Sequence, residues 1–391
     1  MRSSRTPASE TVTGTPEAAA ITAWLEERIN GYLPGSDAAA ADLRLVHVRE
    51  RSRSRLYRYE VTASGGRHSL LVKVAVDREA AGTDETQAGD GAEVRPRLAA
   101  LTDSATRHRL EYEGLLAVQR HFPKLAGQRH TTVAVHDFIP RYAGIVMDHV
   151  ELPTLRQLVA LPTASRVRRL GPAVENAGAW LRTFHALPAE DAEPLRGGPG
   201  AIVEIVAACA AFLGERLDDG AYFRRLAEVV ETRAGDVLED PLPLALGHGD
   251  FAMRNVFVAP DDRVAAFDMC AKWRAPIYED IAYFLISLRT AGPQVLTQGL
   301  FIGRRALEEL EERFLVGYFS PHGPPRDTIR LFEIVVLLDR WCAEVARRRS
   351  WKARLRSRLV DRMFRRTLDD LVSGLREGVR DAPGRYSQPH S

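Results

Sequence analysis

The chain has 391 residues, room for two or three compact units, and its 45% apolar and 27% charged content is ordinary for a folded globular protein. Cys209, Cys270 and Cys342 lie far apart without CxxC spacing, which argues against a disulfide framework or a zinc site and fits a cytoplasmic location. The densest apolar stretch, 281–288, is far shorter than the ~20 residues of a membrane span; the net charge is +2, and of the 54 basic residues only four are lysines.

Residues 1–20 lack the apolar core of a signal peptide and are expected to form a disordered leader. Helical periodicity begins at 21 and runs to 33. From Leu43 to Val76 the pattern is that of strands: LRLVHV, then RLYRYEVT, a turn at 64–66, and HSLLVKVAV. The polar segment 77–93 is expected to be a mobile insertion. A helix is predicted over 105–122, followed by short strands in TTVAVHDFI and AGIVMDHV. Helical patterns then dominate 153–238. The expected division is a β-rich lobe over 21–147, a helical lobe over 148–378, and a disordered tail over 379–391.

The most informative stretch is LALGHGDFAMRNVFVAPDDRVAAFDMCAKW, residues 244–273. VFV and RVAAF read as short strands joined by the turn-forming sequence Ala259-Pro260-Asp261-Asp262. Such a hairpin brings Asn255, before its first strand, close to Asp268, after its second, with Asp250 on the approach loop. Two carboxylates and a carboxamide converging in this way suit Mg²⁺, which takes one or two carboxylates and completes its shell with phosphate and water.

His248-Gly249-Asp250 through Asn255, followed by Phe267-Asp268, resembles the HGDxxxxN and later aspartate of the aminoglycoside phosphotransferase and choline kinase superfamily. The protein-kinase loop has HRD and DFG where this chain has HGD and Asp268-Met269-Cys270, so the resemblance is to the small-molecule branch. It implies an α+β, bilobal, protein-kinase-like fold: a small antiparallel sheet with one main helix, then a larger, mostly helical lobe. It also implies roles. Asp250 would orient the acceptor hydroxyl and take its proton, Asn255 and Asp268 would hold Mg²⁺, and His248 would be structural. Lys73, in the middle of the apolar strand LLVKVAV, would meet the α- and β-phosphates and pair with a helix glutamate. Glu111 is chosen over Glu113 because it shares a face with Leu115, Val118 and Phe122. Ser52 or Ser54 would donate to a phosphate from a loop that lacks GxGxxG. Backbone groups near Asp148 and Val150 would meet the adenine. Asp280 would brace the catalytic loop, and His185 would be a core histidine.

The expected reaction is ATP- and Mg²⁺-dependent phosphorylation of a small-molecule hydroxyl, with GTP as the alternative nucleotide. The competing expectation is a nucleotide-binding pseudokinase serving as an assembly module. Arg156, Arg166, Arg168 and Arg169, and the basic run from Arg347 to Arg366, favour a neutral or anionic acceptor over a polycation wherever they line the pocket. Otherwise they form a solvated face. Without aromatic platforms the arginines do not suggest nucleic-acid binding. GxxxxGK[ST], GxSxG and HExxH are all absent.

Overall fold

The computed structural model describes residues 15–33, 42–51, 54–63, 66–76, 103–125, 130–160, 169–189, 193–194, 198–269, 273–298, 301–346 and 351–377, with main chain alone at a few of these. Ser52, the 77–93 segment, Arg166, Arg168 and residues 347–350 lie outside the described residues. The chain divides into two units: residues 1–83, 102–119 and 133–151 form the first, and the remainder forms the second.

The first unit is built on a five-stranded antiparallel sheet of order β1-β2-β3-β5-β4. Its strands are β1 (Asp42–Glu50), β2 (Ser54–Ala63), β3 (Gly66–Ala75), β4 (Val135–Ile139) and β5 (Gly144–Asp148). Helix α1 (Pro16–Tyr32) starts inside the segment expected to be a disordered leader. Thr15 caps it by accepting from the Ala18 amide, Pro16 supplies a preset first turn, and Ala18 enters the core beside Ile21, Leu25 and Ile29. Those side chains pack with Tyr57, Tyr59, Leu70, Val72 and Val74. Helix α1 thus covers the helical pattern read over 21–33, and the predicted main helix of this unit is α2 (Ser104–Leu125). Asp137 ties α1 down further, accepting from Trp24 Nε1 at 2.9 Å and from the Tyr32 hydroxyl at 2.7 Å.

The second unit is mostly helical. In chain order it holds α3 (Leu155–Val159), α4 (Gly171–His185), β6 (Glu193–Pro194), α5 (Pro199–Arg216), α6 (Gly220–Val237), β7 (Leu244–Leu246), β8 (Val256–Val258), β9 (Val264–Ala266) and β10 (Trp273–Pro276). The helices α7 (Ile277–Arg289), α8 (Gly292–Leu296), α9 (Arg304–Phe319), α10 (Arg326–Ala346) and α11 (Trp351–Glu377) follow. Helices α4 and α9 cross at two glycines. A Cβ at Gly178 would collide with the Phe314 carbonyl, and one at Gly317 with the Glu175 carbonyl, so the two backbones meet directly. The basic C-terminal helix runs on to Glu377 and carries a stripe of Val360, Met363, Phe364, Leu368, Leu371 and Leu375 that buries it against the unit. Of its described arginines, Arg358, Arg362 and Arg366 are exposed, and Arg365 pairs with Asp219 at 2.6 Å. No described helix is long and apolar enough to cross a membrane.

Candidate active site

In the first unit, strand alternation decides which way Lys73 points. Leu70, Val72 and Val74 are buried in the core shared with α1, so Lys73 stands on the opposite face of β3. There its Nζ lies 2.5 Å from Glu111 Oε2. Glu111 is buried and Glu113 exposed, because the face of α2 carrying Leu115, Val118 and Phe122 turns inward. Asp148 ends β5. Its amide donates to the Ala134 carbonyl and that of His149 to the Ser69 carbonyl, since β5 is paired along both edges. The Asp148 amide is thus taken up by the sheet. The Asp148 side chain pairs with His136 at 2.7 Å. Ser54 is buried, and its carbonyl accepts from the Arg51 amide.

In the second unit, Asp280 organises the loop after β7 from the first turn of α7. Its carboxylate accepts from the His248 amide at 2.6 Å, from the Gly249 amide at 2.8 Å and from His185 Nε2 at 3.1 Å. Gly249 has φ of +78°, where a side chain would be strained. Burial by itself would push the Asp280 carboxyl up, yet these donors and the nearby histidines hold it below the usual range. The Tyr318 hydroxyl lies 2.7 Å from His185 Nδ1, so His185 is fixed through both nitrogens. His248 is fully buried against the Trp180, Phe184 and Phe251 rings, and neither ring nitrogen has a hydrogen-bond partner among the described residues. Its burial pulls the imidazole below its usual range and keeps it neutral. Phe251 stacks on Trp180, and the Met253 amide donates to Ser287 Oγ, which closes the loop.

Held in this frame, Asp250 meets two partners. Asn255 Nδ2 donates to the Asp250 carbonyl at 2.9 Å and to its carboxylate at 3.0 Å. Arg254 Nη2 reaches both carboxylate oxygens at 2.6 Å. Strands β8 and β9 pair Val256 with Ala266, and the Phe267 amide donates to the Asn255 carbonyl at 3.1 Å. Asp268 therefore sits one residue past the partner of Asn255. It adopts a left-handed φ of +63°, and Phe267 stacks on Phe257 at 4.4 Å. Asp250, Asn255 and Asp268 are thus brought to one end of the hairpin. The Asn255 amide oxygen makes no hydrogen bond among the described residues. It and the Asp268 carboxylate are hard oxygen donors of the kind that would suit Mg²⁺. Among the described residues no cluster of three or more His, Cys, Asp or Glu gathers into a cage, so phosphate and water oxygens would have to complete the shell.

A cavity of about 590 Å³ opens beside this loop, lined by Ala252, Met253 and Arg254 on the loop side. Arg340 and Glu344 reach it from α10 and Arg156 from α3, while α8 and α11 supply an apolar wall. Arg156 is the one described residue of the arginine groups noted in the sequence that lines it. Arg254 and Arg340 were missed in the sequence. The four-residue spacing from Asp250 to Arg254 was a readable signal for the first, whereas nothing local links Arg340 to the loop.

No family profile matches the sequence, and no curated protein matches it. Solved structures do. One is an ethanolamine kinase of Plasmodium vivax, 11% identical, with a TM-score of 0.50 over 95% of this chain and 94% of that one. Another is a thermostable mutant of the aminoglycoside phosphotransferase APH(4)-Ia, in ternary complex with ADP and hygromycin B. It is 15% identical, with a TM-score of 0.50 over 91% of this chain and 99% of that one. Identities this low speak to the fold. The chain has the protein-kinase-like α+β fold that these two structures share.

Proposed function

We propose that the protein is an ATP- and Mg²⁺-dependent phosphotransferase acting on a hydroxyl of a small molecule, with GTP as the alternative nucleotide. The observation that carries this reading is the convergence of Asp250, Asn255 and Asp268 at one end of the β8–β9 hairpin, on a loop fixed by Asp280. Phosphoryl transfer asks a protein for positioning and charge neutralisation rather than covalent chemistry. Asn255 and Asp268 would hold Mg²⁺, which when bound neutralises charge on the nucleotide phosphates. Lys73, steadied by Glu111, supplies an ammonium for the α- and β-phosphates. Asp250 orients the acceptor hydroxyl and accepts its proton. The freed oxygen bonds to the γ-phosphorus as the bond from that phosphorus to ADP breaks, and ADP keeps the electron pair. The two solved structures of like fold carry the names of small-molecule kinases, and one holds ADP. They lend the reading further support.

A second reading, a nucleotide-binding module without turnover, draws on Arg254, whose guanidinium bonds both oxygens of the proposed base. One experiment separates the two. Thermal unfolding is followed with ATP, GTP and ADP, each with and without Mg²⁺, alongside ADP release in the presence of hydroxylated acceptors. A nucleotide at ~100 times its Kd stabilises the fold by about 2.7 kcal/mol. The kinase reading expects a Mg²⁺-dependent shift and acceptor-dependent ADP release that Asp250→Asn abolishes while keeping the shift. A shift without turnover on any acceptor supports the module, and no shift at millimolar nucleotide sinks both.

A further inference from the structure

The cavity beside the catalytic loop has an unusual lining for a site that would take a cationic acceptor. Three guanidinium groups, Arg156, Arg254 and Arg340, face one carboxylate, Glu344. Arg254 is committed to Asp250, but the other two are not. Arg156 is exposed and in no ion pair among the described residues. Arg340 is half-buried. Its guanidinium makes one long hydrogen bond, 3.5 Å to the Tyr283 carbonyl, and lies 5.1 Å from the Tyr283 ring centroid. No carboxylate comes within ion-pairing distance of it among the described residues, although Glu344 is only one helical turn away. A guanidinium has five N–H donors in a planar fork, and among the described residues the Tyr283 carbonyl is the one acceptor they meet. Burial depresses the Arg340 pKa, a penalty that an oxyanion bound in the cavity would offset.

The opposite wall is apolar. Val295 and Leu296 of α8 and Leu359, Val360 and Phe364 of α11 line it together. Leu296 is 67% exposed, the more open of the two exposed large apolar side chains among the described residues. A volume near 590 Å³ is in the range of small-molecule sites.

We infer that this cavity takes an amphipathic acceptor, a hydroxylated molecule whose carboxylate or phosphate is gripped by Arg340 and Arg156 and whose hydrocarbon portion lies on Leu296, Leu359 and Phe364. The inference rests on the kinase reading for the word acceptor, but the binding it describes does not need turnover. Arg340 is the specificity-determining residue, since a polycation would meet it as a like charge in a poorly solvated setting. Glu344 opposes an oxyanion and sets an upper limit on its affinity.

Calorimetry on the full chain, with and without Mg²⁺–ADP, tests this with four probes: 3-hydroxydecanoate, 2-hydroxydecyl phosphate, the neutral 1,2-decanediol and an aminoglycoside. At least one anionic probe is expected to bind roughly 10-fold or more tightly than the diol. Arg340→Met should erase that difference, Arg340→Lys should keep part of it, and Glu344→Gln should enlarge it. Equal binding of diol and anions, tighter binding of the aminoglycoside, or no binding of either anion overturns the proposal. The lysine variant guards against loss of fold in the methionine variant. If the anions bind as stated but no nucleotide shifts the melting curve and neither is phosphorylated, the kinase reading fails and the oxyanion site stands.

Discussion

Arg254 holds Asp250 from one side while Asn255 holds it from the other, at 2.6 Å to both carboxylate oxygens and 3.0 Å to one of them. The proposed base is thereby fixed by its own neighbours in sequence. Removing Arg254 frees the carboxylate to rotate out of line with an acceptor hydroxyl. Arg254→Ala is expected to lower turnover by roughly 10- to 100-fold while leaving nucleotide affinity within twofold. Should turnover rise instead, the guanidinium is a brake on the base rather than its support. Steady-state kinetics with the first active acceptor decides.

The left-handed backbone at Asp268 means that two substitutions there will not behave alike. Asparagine tolerates a φ near +60°, whereas alanine in that region costs about 1–2 kcal/mol. Asp268→Asn is expected to keep near-native stability and to lose roughly 10²-fold or more in turnover through its lost charge. Asp268→Ala should show the same loss with a lower unfolding midpoint. Urea titrations beside kinetics separate charge from conformation, and a fully active Asn variant would remove Asp268 from the metal site.

Lys73 and Glu111 form an ion pair whose carboxylate is almost wholly enclosed. Breaking such a pair from one side leaves a buried charge. Lys73→Met is therefore expected to destabilise the chain by about 3 kcal/mol. Replacing both, as Lys73→Met with Glu111→Leu, should recover most of that stability but none of the nucleotide-induced shift. Recovery of the shift in the double variant would rule out a phosphate role for the ammonium. A double-mutant cycle on unfolding free energies gives the coupling.

Acidification should weaken the fold in two separate windows. Burial lowers the folded-state pKa of His248, so below its ordinary value of about 6.5 the unfolded chain binds a proton that the folded chain resists. Stability then falls with decreasing pH, by at most about 1.4 kcal/mol per pH unit for one such group. His149, also held down mainly by burial, adds to this slope. Asp280 acts later. Its carboxyl is depressed in the fold, so the stability it contributes is present above the unfolded value near 3.9 and is lost as pH falls through the folded value. Unfolding midpoints at pH 7.5, 6.5 and 5.5 should decline in that order, and less steeply in His248→Leu. An unchanged slope in that variant would mean that the imidazole does not stay neutral in the folded chain.

Much of the second unit's candidate site was legible because its geometry is local. The turn at 259–262 and the flanking β-strands define a hairpin, and a hairpin of that length leaves little choice about which residues meet at its open end. The Lys73–Glu111 pairing was legible for a related reason, since strand alternation and helical periodicity each point one side chain toward the other. The start of α1 was not. Residues 16–20 are Pro-Glu-Ala-Ala-Ala, which carry no strong apolar period, and their helix is set by the Thr15 cap and by the burial of one small alanine. The apolar stripe of α11 was hidden too. Among the described side chains its buried apolar positions run from Val360 to Leu375, beyond the arginine-rich part, so the basic half masks the periodicity. Arg340 entered the site through helix packing alone, which no window of sequence reveals.

The glycine crossing of α4 and α9 has one more consequence. Gly178 lies seven residues, close to two helical turns or about 10.5 Å, before His185, and Gly317 immediately precedes Tyr318. The contact between bare backbones is thus a datum, and the His185–Tyr318 hydrogen bond is measured from it along both helices at once. From His185 the count continues to Asp280, and from Asp280 to the amides of His248 and Gly249. A single residue inserted between 178 and 185 would rotate the histidine by about 100° while leaving the crossing intact. The loop that carries Asp250 would lose its reference point without losing a single residue of its own.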